Sequence, residues 1–341
     1  MKTITAGCIG TGSIAHVHAR GLQAQTDVSL VAVANPGRAK RDSFADEYGV
    51  ERRYADSDTL IQDTDIDAVI ISTPNRYHHR YALSALRAGK HVFLEKPMAC
   101  STAEVTELTR IAKETGRSLM VGHMWRFDRE ARYVRRAVAD GRIGRVFRTT
   151  AYGVHTGWGP SGWFTDPELA WGGAMADMGI HAIDTTRFLL GDPQPVRVYA
   201  RIESNMRKGP LDDTGITVVE WDNGVTSLIE SGWWQPHMDG PEGAARLYGT
   251  AGYASLFPTR IESGAEGNDE NADITVDTPP ASVTARTEHC DQYIYTAQIA
   301  EFIAAIREER QPIPGGAEGT VNVRIVEAAY ASSRTGQAIV F

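Results

Sequence analysis

A glycine-rich turn near the N-terminus constrains the fold of this chain more than any other feature. Residues 3–9 form a β-rich apolar run, which leads directly into Gly10-Thr11-Gly12-Ser13-Ile14-Ala15 and a helical stretch over residues 16–25. The pattern is GxGxxA, in which the third small residue lets the helix pack closely against the strand. The glycines leave backbone N–H groups at the helix N-terminus open to a pyrophosphate, which the helix dipole also favours. We therefore expect the phosphates of a dinucleotide to bind at Gly10, Gly12, Ser13 and Ile14.

Downstream of this turn, short apolar runs alternate with amphipathic stretches as far as residue 122, as expected of βαβ units around a parallel sheet. The run 68–72 is continuously apolar, which is typical of a strand covered by helices on both faces. Gly89 and Gly116 end two helical stretches at places where left-handed caps are expected. We predict an α/β fold with a dinucleotide-binding domain over residues 1–122, a doubly wound parallel sheet of the Rossmann type. Its other strands are predicted at 28–34, 91–94 and 118–121, and the two capped helices at 77–88 and 102–115.

After Gly122, strand-like segments follow one another without helices between them, which indicates an antiparallel sheet. The segments are 146–152, 196–202, 216–221, 226–233, 245–248 and 253–257. Asp222-Asn223-Gly224 and residues 249–252 are typical hairpin turns. Helices are predicted at 128–139, 293–307 and 321–333, and residues 263–281 are predicted to form a surface excursion. Residues 123–341 are therefore predicted to form an α+β second domain, whose C-terminal helix could pack back on the first domain.

The charge balance and the apolar pattern exclude several classes of function. The chain has 341 residues and a formal net charge of −8, which argues against a large electropositive surface for nucleic acid. No run approaches the roughly 18 apolar residues that a membrane span needs. Cys8, Cys100 and Cys290 lie far apart and form no zinc-type spacing, and an odd number of cysteines does not suit a disulfide framework. We expect a cytoplasmic protein that binds neither nucleic acid nor a membrane.

The residue at the end of the second strand bears on which dinucleotide could bind. An acidic residue there accepts hydrogen bonds from the ribose 2′-OH and repels a 2′-phosphate. This chain has Asn35 instead, and Arg38, Lys40 and Arg41 follow it, so the local charge is positive. Asn35 could still bind a free ribose, and the basic residues could simply open the next helix. The pattern slightly favours NADP and leaves NAD open, with Asn35 and Arg38 as candidate contacts.

Lys96 follows the predicted strand 91–94, at the carboxyl edge of the parallel sheet, where open α/β sheets bind their ligands. A lysine at this edge can hydrogen-bond a substrate hydroxyl and stabilise developing alkoxide charge. It could equally be a surface lysine paired with Glu95. The residues alone do not decide between these two interpretations.

The run from Trp171 to Asp184 combines two carboxylates with an imidazole. Asp177, His181 and Asp184 are spaced i, i+4 and i+7, so on a helix they would share one face. A carboxylate beside an imidazole fixes its tautomer and raises its basicity, as a general base near neutral pH requires. The alternatives are a buried histidine satisfied by a neighbouring aspartate, and a metal site. Because a metal would need further ligands that the sequence does not indicate, no metal is predicted.

Four motifs in this order resemble the glucose-fructose oxidoreductase and inositol dehydrogenase family, Gfo/Idh/MocA. They are GTGSIA, Ser72-Thr73-Pro74-Asn75 followed by His78, Glu95-Lys96-Pro97, and GGAMADMGIHAID. The resemblance spans nearly the whole chain. It implies a nucleotide-binding domain followed by a domain with a large open, mostly antiparallel sheet. The outer face of that sheet commonly makes subunit contacts in the family, so a homodimer or homotetramer is expected.

The resemblance also implies roles for single residues. Lys96 would bridge cofactor and substrate, and in the pair of Asp177 and His181 the histidine would take the hydroxyl proton. The stretch that lines the adenosine and nicotinamide riboses would comprise Thr73, Pro74, Asn75 and His78, with Glu95 nearby. Arg126 matches the family's arginine after the last strand of the first domain, and Trp163 matches a common aromatic residue near the nicotinamide. Both are therefore candidate cofactor contacts.

Two positions depart from the family pattern. Many members have an acidic residue where this chain has Asn35, and an asparagine shortly before the arginine where it has Met124-Trp125. The first leaves the cofactor open, and the second could alter the wall of the substrate pocket. An aromatic, sugar-stacking pocket is expected from His155, Trp158, Trp163 and Trp171, although tryptophans are also common in cores. The candidate substrate contacts are Lys96, His155, Trp163, Asp177 and His181.

The resulting hypothesis is an NAD(P)-dependent dehydrogenase that acts on a secondary hydroxyl of a sugar, sugar derivative or cyclitol. Hydride would pass to the nicotinamide while His181 accepts the hydroxyl proton, Asp177 orients His181, and Lys96 stabilises the developing charge. A second hypothesis is a glycoside-cleaving enzyme that uses tightly bound NAD(P) for transient oxidation without net redox change. A third is a nucleotide-binding sensor without catalysis, which the joint presence of those three residues disfavours.

Overall fold

The computed structural model describes residues 3–155, 160–206, 209–233, 242–264, 274–284 and 292–341. The chain divides into two compact units. The first unit comprises Met1–Met124 and Glu288–Thr320, and the second comprises Trp125–Thr287 and Val321–Phe341. The chain therefore enters the first unit twice.

The N-terminal part of the first unit, residues 4–121, is a six-stranded parallel sheet with helices between its strands. The strands are β1 (Ile4–Ile9), β2 (Val28–Ala34), β3 (Arg52–Tyr54), β4 (Ala68–Ile71), β5 (His91–Leu94) and β6 (Leu119–Val121). The helices are α1 (Ser13–Gln23), α2 (Arg38–Tyr48), α3 (Ser57–Gln62), α4 (His78–Arg87) and α5 (Thr102–Thr115). The strand order is β3-β2-β1-β4-β5-β6, and all neighbours are parallel. The predicted doubly wound sheet of the Rossmann type is confirmed.

Local sequence signals account for the ends of these elements. All four residues of β4 are buried, as a strand between two layers of helices requires. Ser101 caps α5 by accepting a hydrogen bond from the backbone N–H of Glu104, whose carboxylate accepts one from the backbone N–H of Cys100. Gly89 and Gly116 have φ angles of +76° and +66°, which confirms the two predicted left-handed caps.

The second unit contains a mixed sheet that has nine strands among the described residues. These are β7 (Val146–Val154), β8 (Pro195–Glu203), β9 (Thr214–Trp221), β10 (Thr226–Gly232), β11 (Gly243–Gly249), β12 (Gly252–Leu256), β13 (Arg260–Ser263), β14 (Thr275–Asp277) and β15 (Ile339–Val340). Their order is β14-β13-β12-β11-β7-β10-β9-β8-β15. The pair β7 and β10 is parallel and the other pairs are antiparallel. The predicted mostly antiparallel sheet and its two hairpins, β9–β10 and β11–β12, are confirmed.

The second unit also contains the helices α6 (Arg129–Ala139), α7 (Pro167–Ala170), α8 (Ile180–Leu189) and α9 (Ala281–Thr284). Of these, α6 and α8 pack against the strands of the sheet. All ten residues of α8 are buried, and α8 packs against β7, β10 and β11. Phe147, Tyr199 and Ile216, on β7, β8 and β9, are 44%, 46% and 51% exposed and alternate with buried residues along their strands. The sheet therefore buries one face and presents apolar side chains on the other.

Two helices follow near the C-terminus, α10 (Gln292–Arg307) and α11 (Gly316–Thr335). Helix α10 packs against α1, where a Cβ on Gly21 would lie 3.0 Å from Cγ1 of Ile299. It therefore belongs to the first unit, whereas the sequence analysis assigned all of residues 123–341 to the second domain. The difference arises because α1 and α10 are distant in sequence, and local periodicity does not encode which helix packs on which.

Candidate functional site

The glycine-rich turn between β1 and α1 has the geometry of a phosphate-binding loop. Gly10 has a φ of +97°, and a Cβ on it would lie 2.4 Å from the carbonyl oxygen of Ser72, so only glycine fits. A Cβ on Gly12 would meet nothing within 4 Å, which leaves space in front of Ser13, the first residue of α1. Free backbone N–H groups and the helix dipole favour an anion in that space.

Two buried hydroxyl groups near this loop also fit a ligand. The Oγ1 atoms of Thr11 and Thr73 find no hydrogen-bond partner among the described residues. Thr11 lies in the loop, and Thr73 follows β4, which neighbours β1 in the sheet. A buried hydroxyl without a partner is costly unless a ligand or water satisfies it. The residues present therefore fit a dinucleotide at this edge of the sheet.

Asn35 directly follows β2, where the cofactor ribose was predicted to bind. Its side-chain amide donates to the carbonyl oxygen of Gly37 at 3.1 Å, and its main-chain carbonyl oxygen accepts from the Arg41 guanidinium at 3.4 Å. The Arg38 side chain is 86% exposed and lies 3.4 Å from Asp42. A weakly held, exposed guanidinium beside a neutral amide can accommodate a 2′-phosphate.

His78 has a different environment from the one predicted. The sequence analysis placed its side chain beside the riboses, together with Thr73, Pro74 and Asn75. In the structure Asn75–Tyr77 form a 3-10 turn, and His78 is fully buried at the start of α4. Its Nδ1 lies 2.7 Å from the carbonyl oxygen of Pro97, and its Nε2 lies 2.9 Å from that of Thr73. Both ring nitrogens therefore face carbonyl oxygens. Because burial lowers the pKa of His78, the neutral ring carries one N–H and donates to one of these two oxygens at a time.

Lys96 directly follows β5, at the carboxyl end of the parallel sheet. It is partly buried, which disfavours its interpretation as a surface lysine. Glu95 is buried, and its Oε1 accepts a hydrogen bond of 2.7 Å from Nε2 of His18, a fully buried residue of α1. The Glu95 Oε2 accepts the backbone N–H of Lys96 at 3.1 Å. The Glu95 carboxylate, predicted near the riboses, is thus bonded inside the protein, and sequence analysis missed its partner His18.

In the second unit, the predicted single helix carrying Asp177, His181 and Asp184 is interrupted. Met175–Gly179 forms a π-helical turn, and α8 starts only at Ile180. Asp177 therefore lies on the π turn and His181 is the second residue of α8. The expectation of a regular α-helix through all three residues is wrong, because Asp177 lies in a wider π turn.

A buried hydrogen-bond cluster surrounds Asp177. Its Oδ2 accepts from Nε1 of Trp233 and from Nε2 of His155, each at 3.0 Å. The other ring nitrogen of His155 lies 3.2 Å from Glu242 Oε1. Burial acts to lower the pKa of His155, but its hydrogen bonds with the two carboxylates outweigh burial, so the pKa lies above its ordinary value of 6.5. His155 was a predicted substrate contact, whereas Trp233 and Glu242 were not identified from the sequence.

The raised pKa of His155 predicts a pH dependence of stability. Protonated His155 stabilises the folded state below its ordinary pKa of 6.5, and this contribution is lost as the pH rises through the folded-state pKa. We expect the free energy of unfolding, measured with urea at about pH 6 and about pH 8.5, to fall less between these values in His155→Gln than in the parent. His79→Gln, at a partly exposed histidine of α4, is the control. Equal pH dependence in parent and His155→Gln would contradict this assignment.

Asp212 anchors the segment that leads into the π turn. Its carboxylate accepts the backbone N–H of Gly173 at 2.8 Å and that of Met175 at 2.7 Å, and Tyr330 donates its hydroxyl proton at 2.8 Å. A Cβ on Gly173 would lie 1.9 Å from the carbonyl oxygen of Asp212, so the two backbones meet closely. Burial raises the pKa of Asp212 although these donors oppose the shift. Sequence analysis quoted the two glycines of this segment but missed Asp212.

Arg126, a predicted cofactor contact, forms a buried ion pair. Its Nε and Nη2 donate to both carboxylate oxygens of Asp184 at 2.8 to 3.0 Å, and Nη2 also donates to Asp192 at 2.6 Å. Asn322 donates to Asp184 at 2.7 Å. Arg126 is 2% exposed. The structure thus gives both Arg126 and Asp184 a structural environment, and the cofactor role of Arg126 stays a prediction.

The predicted aromatic pocket residues are only partly described. Trp163 lies on a 3-10 turn, Gly162–Thr165, and its ring stacks on Phe164 at 3.9 Å between centroids. Trp171 makes an edge contact with Tyr330 at 6.3 Å. Trp158 lies outside the described residues. Another aromatic ring, that of Trp125, lies 5.3 Å from the His181 ring.

Two negative findings concern the described residues alone. They contain no group of three or more His, Cys, Asp or Glu side chains placed to hold a metal ion. Their helices include none that is long and apolar enough to cross a membrane.

Comparison with known families covers most of the chain. The family described as "Oxidoreductase family, NAD-binding Rossmann fold" matches residues 4–123. The "GFO/IDH/MocA C-terminal domain" matches residues 131–255. The two matched segments correspond to the parallel sheet of the first unit and to most of the mixed sheet of the second.

Individual proteins match over nearly their full lengths. The inositol 2-dehydrogenase of Rhizobium meliloti (strain 1021) is 31% identical over 336 residues, which cover 97% of this chain and 97% of that protein. The 1,5-anhydro-D-fructose reductase of Ensifer adhaerens is 28% identical, again with 97% of each chain covered. Among solved structures, the aldose-aldose oxidoreductase of Caulobacter crescentus, complexed with glycerol, has a TM-score of 0.84, 25% identity and full coverage of both chains, 100% each.

Proposed function

This chain belongs to the Gfo/Idh/MocA family and is an NAD(P)-dependent oxidoreductase, and we propose that it oxidises a secondary hydroxyl of a sugar, sugar derivative or cyclitol. The names of its relatives, an inositol dehydrogenase and an anhydrofructose reductase, support this substrate class. The observation that most supports a catalytic protein is the buried carboxylate of Asp177, held by two donors on a π-helical turn close to His181 in the chain. A buried polar cluster of this kind is costly and is typical of a functional site.

In the first unit, the chain's own residues would hold the nucleotide and polarise the substrate. Gly10, Gly12, Ser13 and Ile14 would bind the pyrophosphate, and Thr73 would lie beside a ribose. The bound nicotinamide would supply the hydride acceptor. Lys96 would donate a hydrogen bond to the substrate hydroxyl and stabilise the negative charge that develops on its oxygen.

In the second unit, His181 would accept the hydroxyl proton. Hydrogen bonds from His155 and Trp233 fix the position of Asp177. The negative charge of the Asp177 carboxylate would favour the protonated imidazole of His181. His155 and Trp163 would contact the substrate. The role of Asp177 in orienting His181 is part of the proposal.

A screen of substrates tests the proposed function. Cyclitols, aldoses and glycosides are each offered with NAD and with NADP, and reduced nicotinamide is followed by its absorbance. We expect stoichiometric reduction of the nucleotide with at least one cyclitol or sugar. Release of an aglycone without accumulation of reduced nucleotide would favour the redox-neutral, glycoside-cleaving alternative. Tight nucleotide binding with no turnover of any substrate would favour the sensor.

For the cofactor, we propose a slight preference for NADP over NAD. The proposal is based on the neutral side chain of Asn35 and the exposed side chain of Arg38. We expect Asn35→Asp to lower the ratio of kcat/KM for NADP to that for NAD by about tenfold or more, because the new carboxylate repels the 2′-phosphate and ~1.4 kcal/mol is a tenfold change. Asn223→Asp, in the exposed β9–β10 turn, makes the same charge change as a control. An unchanged ratio would show that this position does not face the 2′-phosphate.

We also propose that the protein forms a homodimer or homotetramer in the cytoplasm. The exposed apolar residues Phe147, Tyr199 and Ile216 on one face of the mixed sheet support self-association there. Light scattering at micromolar concentration gives the mass directly, and the mass of a monomer would exclude a stable oligomer.

A further inference from the structure

We infer that two buried histidines, His18 of α1 and His78 of α4, are positioning residues that hold the main chain on both sides of Lys96. Neither histidine touches substrate or cofactor in this role. His18 binds the side chain of Glu95, the residue before Lys96, and His78 binds the carbonyl oxygen of Pro97, the residue after it. The inference deepens the proposed function and rests on the role proposed there for Lys96.

On the N-terminal side, His18 acts through a carboxylate. Its Nε2 donates to Oε1 of Glu95 at 2.7 Å, and Oε2 of Glu95 accepts the backbone N–H of Lys96 at 3.1 Å. Burial would raise the pKa of Glu95, but the hydrogen bond and positive charge of its neighbours, His18 first, bring it below its ordinary value. An ionised carboxylate makes both hydrogen bonds stronger than a neutral acceptor would. The orientation of the Lys96 peptide group therefore depends on His18.

Gly122 closes the space into which the Glu95 carboxylate could otherwise move. It follows β6, and its backbone N–H donates to the carbonyl oxygen of Leu94 at 2.8 Å. A Cβ on Gly122 would lie 2.9 to 3.0 Å from the Glu95 carboxyl group. The backbone of Gly122 thus packs directly against the carboxylate, so a methyl group there would displace the carboxylate without removing any of its hydrogen-bonding partners.

On the C-terminal side, His78 packs between two loops at the edge of the sheet. Its ring lies between the carbonyl oxygens of Pro97, at 2.7 Å, and Thr73, at 2.9 Å. The ring is fully buried. Thr73 follows β4 and Pro97 follows β5, so the His78 ring lies between two neighbouring loops, one of which contains Lys96. The neutral ring donates its single N–H to one of the two oxygens, and the Pro97 oxygen is the nearer.

The size of the effect follows from the geometry that catalysis requires. A catalytic group displaced by about 1 Å can lose roughly 10²-fold in rate. The Lys96 side chain is flexible, with four rotatable bonds. The orientation of its main chain sets the direction in which this side chain leaves the backbone, and so limits where the ammonium group can lie. Loss of either histidine contact is therefore expected to lower kcat by about tenfold or more, with a smaller change in the Kd of the nucleotide.

The first experiment compares each histidine with its neighbour in the same helix. We expect His18→Leu and His78→Leu to lower kcat, whereas His16→Leu and His79→Leu, at partly exposed positions, leave it within a few-fold. An amide can replace one ring nitrogen at a time. The glutamine nitrogen occupies the place of Nε2, so His18→Gln should restore part of kcat. The asparagine nitrogen occupies the place of Nδ1, so His78→Asn, which can still reach Pro97, should be faster than His78→Gln, which can reach only Thr73.

A second experiment separates this inference from the proposed function. Each His variant is also made in a Lys96→Ala background. If the histidines act through Lys96, they lower kcat in the parent but cause little further loss once Lys96 is absent. Equal losses in both backgrounds would overturn the inference and leave the role of Lys96 intact. A Lys96→Ala enzyme as fast as the parent would instead overturn the proposed function.

A third measurement needs no turnover. Hydrogen exchange of the backbone amide of Lys96 is followed by mass spectrometry in the free protein. We expect faster exchange in His18→Leu and in Gly122→Ala, because in both the Glu95 carboxylate no longer holds that amide. The Gly122 variant keeps both hydrogen-bonding partners, so it supplies the comparison if His18→Leu does not fold. Unchanged exchange and unchanged kcat in Gly122→Ala would overturn the inference.

Discussion

Replacing Lys96 or His181 by alanine is expected to lower kcat by about 10²-fold or more, because a positioned acid or base contributes roughly 10²- to 10⁴-fold. Lys96 lies at the carboxyl end of β5, where parallel sheets place their ligands. His181 is the second residue of α8, next to the π turn that contains the buried Asp177. If the two groups act on developing charge, kcat and kcat/KM should fall together and KM should change little.

The controls for this prediction are residues of the same type, an exposed lysine and a partly exposed histidine. Lys113→Ala on α5 and His79→Ala on α4 remove the same charge or ring without entering the proposed site. Stopped-flow or steady-state absorbance of the reduced nicotinamide gives kcat for each variant. A Lys96→Ala or His181→Ala enzyme within a few-fold of the parent would remove that residue from the mechanism. A rise in KM alone would assign it to substrate binding.

The largest expected effect on stability comes from Arg126. Arg126→Met keeps a long side chain but leaves the Asp184 carboxylate, 2% exposed, without its guanidinium partner. Breaking a buried pair in this way typically costs about 3–5 kcal/mol, because a buried charge is left uncompensated. We expect a decrease of this size in the free energy of unfolding measured with urea.

Arg197→Met is the matched control for this prediction. Arg197 lies 3.3 Å from Glu220 at the surface of the mixed sheet, where the two side chains are 50% and 44% exposed. Exposed pairs contribute roughly 0–1 kcal/mol, so its loss should be small. If both variants lost the same stability, the buried network would contribute no more than a surface pair. A weakened nucleotide affinity in folded Arg126→Met would in turn support the cofactor role predicted for Arg126.

The features that were predictable from the sequence are those that neighbouring residues determine. Gly10 and Gly12 could be recognised because a phosphate loop needs open backbone next to a helix start. The caps at Gly89 and Gly116 and the hairpin at Gly224 could be recognised because a left-handed φ is cheap only for glycine. Sheet type followed from whether helices separate the strands, and both sheets were predicted correctly.

The partners of the site residues were not predictable in this way. Asp177 was identified, but its donors His155 and Trp233 are 22 and 56 positions away in the sequence. Periodicity predicts that Asp177 and Asp184 lie on one helical face. In the structure, Asp212 anchors the segment that leads into the π turn containing Asp177, and Asp184 pairs with Arg126. Such choices depend on which distant segments pack together, and hydrogen bonds between them leave no local pattern.

The sequence by itself determined that a dinucleotide loop precedes α1, that Lys96 follows a parallel strand, and that Asp177 and His181 are close in the chain. These statements hold because turns, caps and strand ends are short-range properties of the backbone. Only the tertiary structure decided what holds those residues in place. The hydrogen bond from His18 to Glu95 joins residues that are 77 positions apart in the sequence, and both side chains are buried. Buried polar groups must find partners wherever the fold brings them, so the contacts that support a site are settled by packing.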